Sequence, residues 1–140
     1  MPDALTPAQV DAFLAEAFPS AHADGTRCHA LGHRQATARW IYDPSELRPG
    51  GYISGPRMFG LADCALWFAT FTETGLQAMS LTSELSIRFL RPAIGGDLFA
   101  RATLESVGKR RLVGSVQLWV AGAPDDLVAV AQGAYVRPSR

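Results

Sequence analysis

The run from Pro56 to Thr72 constrains this chain most. It is rich in Leu, Ala, Met, Phe and Trp on nearly all sides, and Gly60 is its one internal break. A helix that is apolar all round is expected to be buried all round. Its ends are marked. Ser54 is a preferred cap residue, Pro56 suits an early helical position, and Gly75 suits a C-terminal stop. The expected central helix covers about 56–73. Asp63 is the only acid in this run before Glu73. One helix of this kind needs a sheet to wrap it, which predicts an α+β layer architecture.

The flanking patterns supply the sheet. After the helix the period changes to two. Leu81, Ser83, Leu85, Ile87 and Phe89 face one way, and Thr82, Glu84, Ser86 and Arg88 face the other. Alternating faces recur at Leu98–Leu104, at Leu112–Val120 and at Leu127–Val136. Turns at Pro92–Asp97, Gly108–Arg110 and Ala121–Asp126 separate them. The pattern predicts an antiparallel meander over about 81–137. Residues 27–42 read as strand, broken near Gly32, and Asp43–Gly51 reads as a loop. At the N-terminus, Thr6-Pro7-Ala8-Gln9 has the form of a capping box. Val10, Phe13, Leu14 and Ala17 follow at helical spacing, which predicts a short amphipathic helix at about 7–18 ended by Pro19.

With 140 residues, the chain is expected to form one domain with a real core. Lys plus Arg and Asp plus Glu both number 13, so the net charge is zero. That balance argues against a broad nucleic-acid footprint and removes one brake on self-association. Cys28 and Cys64 have no metal-like spacing, and two thiols make no disulfide framework. Met1–Phe18 lacks a basic region followed by an apolar run, so no secretory signal and no membrane anchor are expected. The expected setting is the reducing cytoplasm.

Residues 49–63, PGGYISGPRMFGLAD, carry a resemblance to a known family. They resemble the hotdog-fold thioesterases of the phenylacetate-degradation (PaaI-like) group. In that group a His-Gly-Gly motif precedes a Leu-(Ala/Val)-Asp on the central helix. Here Ser54-Gly55-Pro56 and Leu61-Ala62-Asp63 stand at those positions with the same separation. The stretch Ile87–Ala93 is similar to the family's strand ending in Phe-x-x-Pro-Ala, with Gly95-Gly96 after it. Gly108-Lys109-Arg110 is similar to its Gly-(Lys/Arg) hairpin. The resemblance covers about residues 45–137. It implies a hotdog fold, an antiparallel sheet wrapped around the long central helix, with the short N-terminal helix added.

The resemblance also implies roles. The group's oxyanion donor, the backbone N–H of the first motif glycine, maps to Gly55 at the positive end of the helix. The carboxylate that attacks the thioester or activates water maps to Asp63. Its bland alternative is an acid that hydrogen-bonds backbone or a neighbouring subunit. Thr82 lies beside the position where the group has a water-orienting Ser or Thr, and is otherwise an ordinary strand residue. Ser54 is a cap or, with Pro56, a substrate contact. Lys109 and Arg110 meet CoA phosphates or form a solvated turn with Arg111; Arg88 and Arg91 share both readings. The implied substrate is an acyl-CoA. The implied assembly is a homodimer or a dimer of dimers, in which Asp63 of one copy faces Gly55 of another.

The motif histidine is Ser54 here, and the second motif glycine is Pro56, which has no N–H. The leading expectation is therefore an acyl-CoA thioesterase, and the alternative is a non-catalytic acyl-CoA binder. A hydratase-like enzyme would need a His near the central helix, and none lies between residues 34 and 140. His22, His29 and His33 have no acidic partners at metal-ligand spacing, and no phosphate loop is present, so no metal or cofactor is expected. Phe59, Trp67, Phe68 and Phe71 are candidates for an acyl pocket or for core.

Overall fold

The computed structural model describes residues 4–139. Local sequence chemistry sets the first elements. In helix α1, Pro7–Ala17, the Thr6 hydroxyl accepts a hydrogen bond from the Gln9 N–H at 3.2 Å. The Gln9 side chain accepts one from the Thr6 N–H at 2.9 Å, closing the capping box. Pro19 opens a second helix, α2, Pro19–Ala23, and Phe18 forms the elbow between the two. A proline can end one helix and occupy the first turn of the next, because its missing N–H is not needed there.

Strands β1, Thr26–Gly32, and β2, Gln35–Trp40, form a hairpin. The long helix α3 spans Gly55–Thr74. The Ser54 hydroxyl caps it by accepting from the Arg57 N–H at 3.2 Å, and Gly75 ends it at φ 76°, a conformation that favours glycine. Strands β3, Leu81–Phe89, β4, Leu98–Val107, β5, Arg111–Val120, and β6, Ala129–Val136, complete one antiparallel sheet in the order β1-β2-β4-β5-β6-β3. The sheet curls around α3. The core forms where Leu61, Leu66, Phe68 and Phe71 of the helix meet Trp40, Leu98, Leu112 and Leu118 of the sheet. Each such side chain contributes about 1.5–3 kcal/mol by leaving water.

Two expectations change. The meander holds for β4–β6, but β3 lies at the far edge, beside β6. The connection at 90–97 is a crossover rather than a hairpin. It is held by the Leu90 N–H on the Val128 carbonyl and by the Ile53 N–H on the Ala93 carbonyl, both at 2.9 Å. Strand periodicity fixes which face a side chain takes, not which strand pairs with which. The central helix, in turn, is not buried all round. Pro56, Phe59 and Gly60 are exposed, and Asp63 and Cys64 half-exposed. These positions recur at helical spacing, so one stripe along the first half of α3 is open. The open edge of β3 presents Leu81 and Phe89, 61% and 50% exposed. An apolar stripe and an apolar strand edge are the surfaces a second chain would cover.

Candidate active site

Asp63 stands on the open stripe of α3, where the helix passes the start of β3 and the end of β6. Both strands send a hydroxyl to it. The Thr82 hydroxyl donates to Asp63 Oδ1 at 2.7 Å, and the Tyr135 hydroxyl donates to the same oxygen at 2.6 Å. The Tyr135 hydroxyl also lies 3.0 Å from the Asp63 carbonyl. It has one proton, and the shorter, charge-assisted bond to the carboxylate is the stronger. Among the described residues Asp63 has no ion-pair partner, and no hydrogen bond reaches Oδ2. The carboxylate is thus oriented by neutral donors on one oxygen and open on the other. A guanidinium in that place would orient it equally well and quench its basicity.

The protonation of its neighbours follows from burial. Tyr135 is buried; desolvation first, then the charge and hydrogen bond of Asp63, raise its phenol well above the usual tyrosine range. It therefore remains a donor across the physiological range. The Cys64 thiol is pushed up to about 12, by burial first and then by the charge of Asp63. It remains a thiol and does not compete as a nucleophile at neutral pH.

A cavity of about 190 Å³ opens beside this carboxylate, with Thr82 and Tyr135 at one side and Phe18, Cys64, Trp67, Ala78, Ser80 and Leu81 around the rest. Gly55 lies elsewhere. It lines a second cavity, of about 420 Å³, with Arg48, Tyr52, Met58, Phe89 and Arg91 among its neighbours. Its N–H is among those a helix start leaves unpaired, and no hydrogen bond involves it among the described residues. Eight residues separate Gly55 from Asp63 along α3, about 12 Å at 1.5 Å per residue. One reacting carbonyl cannot touch both within one chain.

The remaining expected site residues are spread out. The Ser54 hydroxyl is occupied by its capping bond, and Ser54 and Pro56 line a third cavity, of about 290 Å³, with Glu46, Arg57 and Gly60. Lys109 and Arg110 are exposed in the β4–β5 turn and line neither the Asp63 nor the Gly55 cavity. Arg91 reaches the Gly55 cavity, where it also faces Asp126 at 3.4 Å; Arg88 lies on the outer sheet face. Of the four aromatic candidates only Trp67 lines the Asp63 cavity. Phe68 and Phe71 are core, and Phe59 is exposed. His29 packs edge-on to Phe99 at 4.9 Å, and among the described residues no three metal-ligand side chains converge.

Tyr135, Ser80 and Phe18 line the Asp63 cavity, and the sequence pattern did not single them out. Tyr135 carried a usable signal. It is a tyrosine on the apolar strand 127–136, and a buried phenol needs an acceptor. Ser80 sits in an irregular link and Phe18 at a helix end, and neither position has a pattern to read.

The chain is similar to several known proteins. The family model described as the thioesterase superfamily matches residues 50–125, more than half of the chain. A candidate thioesterase from Silicibacter sp. TM1040 is 30% identical, with 99% of this chain and 96% of that one covered, at TM-score 0.87. The E. coli PaaI protein of the phenylacetic acid degradation operon is 24% identical, with coverages of 90% and 88% and TM-score 0.74. Zebrafish thioesterase superfamily member 2 is 15% identical, with coverages of 94% and 98% and TM-score 0.79. The last two likenesses establish the fold alone. No curated protein sequence matches the chain. The family model and the Silicibacter likeness, over a six-stranded antiparallel sheet wrapped on one long helix, establish that this chain is a hotdog-fold member of the thioesterase superfamily.

Proposed function

We propose that this protein hydrolyses acyl-CoA thioesters, with Asp63 as the carboxylate and the Gly55 N–H of a second copy as the oxyanion donor. The observation that carries the reading is the carboxylate itself. Oδ1 is held by two hydroxyls, and among the described residues Oδ2 has no hydrogen-bond partner and no cation pairs with the carboxylate. Oδ2 either attacks the thioester carbon or takes a proton from a water that does. In both routes the carbonyl oxygen gains the charge, a backbone N–H stabilises it, and the C–S bond breaks to release CoA thiolate, which takes up a proton; in the first route the acyl group is left on Asp63 as an anhydride, which a water then cleaves to the free acid and the carboxylate. The separation of Gly55 from Asp63 supports a two-fold assembly. An isologous pairing would set the Gly55 of each copy against the Asp63 of the other, cover the open stripe of α3 and use the free edge of β3. The same surfaces would allow such dimers to pair again. No helix among the described residues is long and apolar enough to cross a membrane.

The test is release of free CoA thiol from a panel of acyl-CoAs. Asp63→Asn keeps the size of the side chain, and Asp63→Ala removes it. Both are expected to lower kcat by about 100-fold or more with the fold retained. Turnover equal to wild type would remove Asp63 from the chemistry. A second reading rests on Ser54 and Pro56, which replace the motif histidine and glycine. In that reading the protein binds acyl-CoA without cleaving it, and binding with no turnover in the wild type would select it.

A further inference from the structure

Strand β3 ends the sheet, and among the described residues no strand pairs with its outer side. From Glu84 to Phe89 it pairs with β6 in unbroken register, Glu84 opposite Ala134 and Phe89 opposite Ala129; the bulge lies earlier, between Thr82 and Glu84. The Leu90 N–H donates to the Val128 carbonyl at 2.9 Å. Hydrogen-bonding groups alternate along an antiparallel strand, so Leu85, Ile87 and Phe89 turn their N–H and C=O groups to the free edge. Such an edge is a template for another strand unless its charges repel that strand.

The charges on this edge attract a copy of themselves. Leu85 and Ile87 pack against the core, so Glu84, Ser86 and Arg88 alternate onto the outer face, where all three are exposed. Among the described residues neither Glu84 nor Arg88 has an ion-pair partner. They stand two residues on either side of Ser86. Two antiparallel copies centred on Ser86 therefore set Glu84 of each opposite Arg88 of the other. These are non-hydrogen-bonded positions, where facing side chains come closest. Leu85 then meets Ile87 of the second copy, and the two exchange N–H···O bonds. Centring on Leu85 or Ile87 leaves both charges opposite uncharged residues, and centring on Glu84 or Arg88 sets like charges together.

We infer that β3 pairs with β3 of a second copy in this one register, and that Glu84 and Arg88 select it. This rests on the two-copy site proposed above and names the residues that align its halves. The Phe89 ring lies 3.3 Å from where a Gly55 Cβ would sit, and Asp63 is bonded to Thr82. In the Ser86 register Phe89 lies opposite Ser83 of the second copy, beside that copy's Thr82. The Gly55 of each copy is thus brought level with the Asp63 of the other. Recentring on Ile87 would move the two groups out of line by roughly 7 Å, two residues of strand.

Two charge variants and one cysteine test it, with thermal melts to confirm folding. Glu84→Arg turns both facing pairs into Arg–Arg, and Arg88→Glu turns both into Glu–Glu. Each alone is expected to weaken the dimer about tenfold or more in sedimentation. Mixed together they regain two opposite-charge pairs, and the expected product is the mixed dimer, read by native mass. Ser86→Cys adds a covalent readout. In this register its Cα lies about 4.5 Å from its own counterpart, within disulfide reach. Diamide is expected to crosslink it faster than wild type, Leu85→Cys or Ile87→Cys. A monomeric wild type, charge variants that pair as the wild type does, or a mixture without preference for the mixed dimer overturns the inference. So does crosslinking of Ser86→Cys no faster than of Leu85→Cys or Ile87→Cys. No readout here uses turnover, so matched hydrolysis assays separate the two readings. The register without CoA release leaves the pairing and removes the thioesterase; CoA release with the register overturned does the reverse.

Discussion

A carboxylate on a largely apolar helix needs a structural reason to stay in one orientation. Asp63 has two neutral donors on one oxygen instead of a salt bridge. Each is a charge-assisted bond, worth about 1.5–3 kcal/mol where desolvated. Two bonds from two strands also fix the carboxylate plane, which one donor would leave free to swing. Tyr135 is then a positioning residue. It acts through the carboxylate that it touches. Tyr135→Phe keeps the ring and its packing and removes one of the two orienting bonds. The expected result is a fall in kcat of roughly tenfold, about 1.4 kcal/mol of barrier, with KM unchanged. Thr82→Val, which removes the other bond, is expected to fall similarly, and the double variant further than either. Steady-state kinetics on one acyl-CoA decides it. A Tyr135→Phe enzyme with wild-type kcat would make the phenol a packing group only.

At the scale of elements, the open stripe of α3 makes a separate claim. Phe59 is 40% exposed on that stripe, one turn before Asp63. On a lone chain its replacement by a charged residue should be harmless or mildly stabilising. Under the proposed pairing the same change buries a charge without a partner, which costs several kcal/mol. Phe59→Glu is therefore expected to shift sedimentation toward the monomer and to remove activity while the far-ultraviolet spectrum stays that of the wild type. An unchanged sedimentation profile would clear this stripe of any interface. The elements themselves were legible from sequence to unequal degrees, for physical reasons. The α1 capping box and the α3 cap rest on residues three positions apart, so the chain states them locally. Strands β4–β6 follow from period and turn chemistry, while residues 27–42 read only as strand with a break near Gly32, which the structure makes the turn of the β1–β2 hairpin. The α2 helix was hidden because Pro19 reads equally as a stop and as a start. The partner of β3 was hidden because edge position depends on a crossover, not on alternation. Of the site, Asp63 and Thr82 stood out through their motifs. The bond between Asp63 and Tyr135 joins residues 72 positions apart, and no local pattern announces it.

At the scale of the molecule, the two halves of the proposed site sit about 12 Å apart on one rigid helix. Bending α3 to bring them together would break its core contacts with β2 and β4, so a second copy is the low-cost solution. That geometry has a consequence single variants cannot show. Asp63→Asn removes the carboxylate. Gly55→Pro removes the N–H, and proline is tolerated at the first helical position. The Phe89 ring, 3.3 Å from where a Cβ would sit, has only to yield slightly. Each variant alone is expected to be inactive. When the two are co-expressed and pair at random, half of the dimers are mixed. Each mixed dimer joins one intact Asp63 to one intact Gly55 across the interface, while its other site lacks both. About a quarter of the wild-type sites should then be restored, because a two-fold interface uses each copy's surface once from each side. Recovery near that fraction, measured as CoA release per total protein, would place the two groups on different copies. No recovery, with mixed dimers confirmed by mass, would put the whole site within one chain and remove Gly55 as its oxyanion donor.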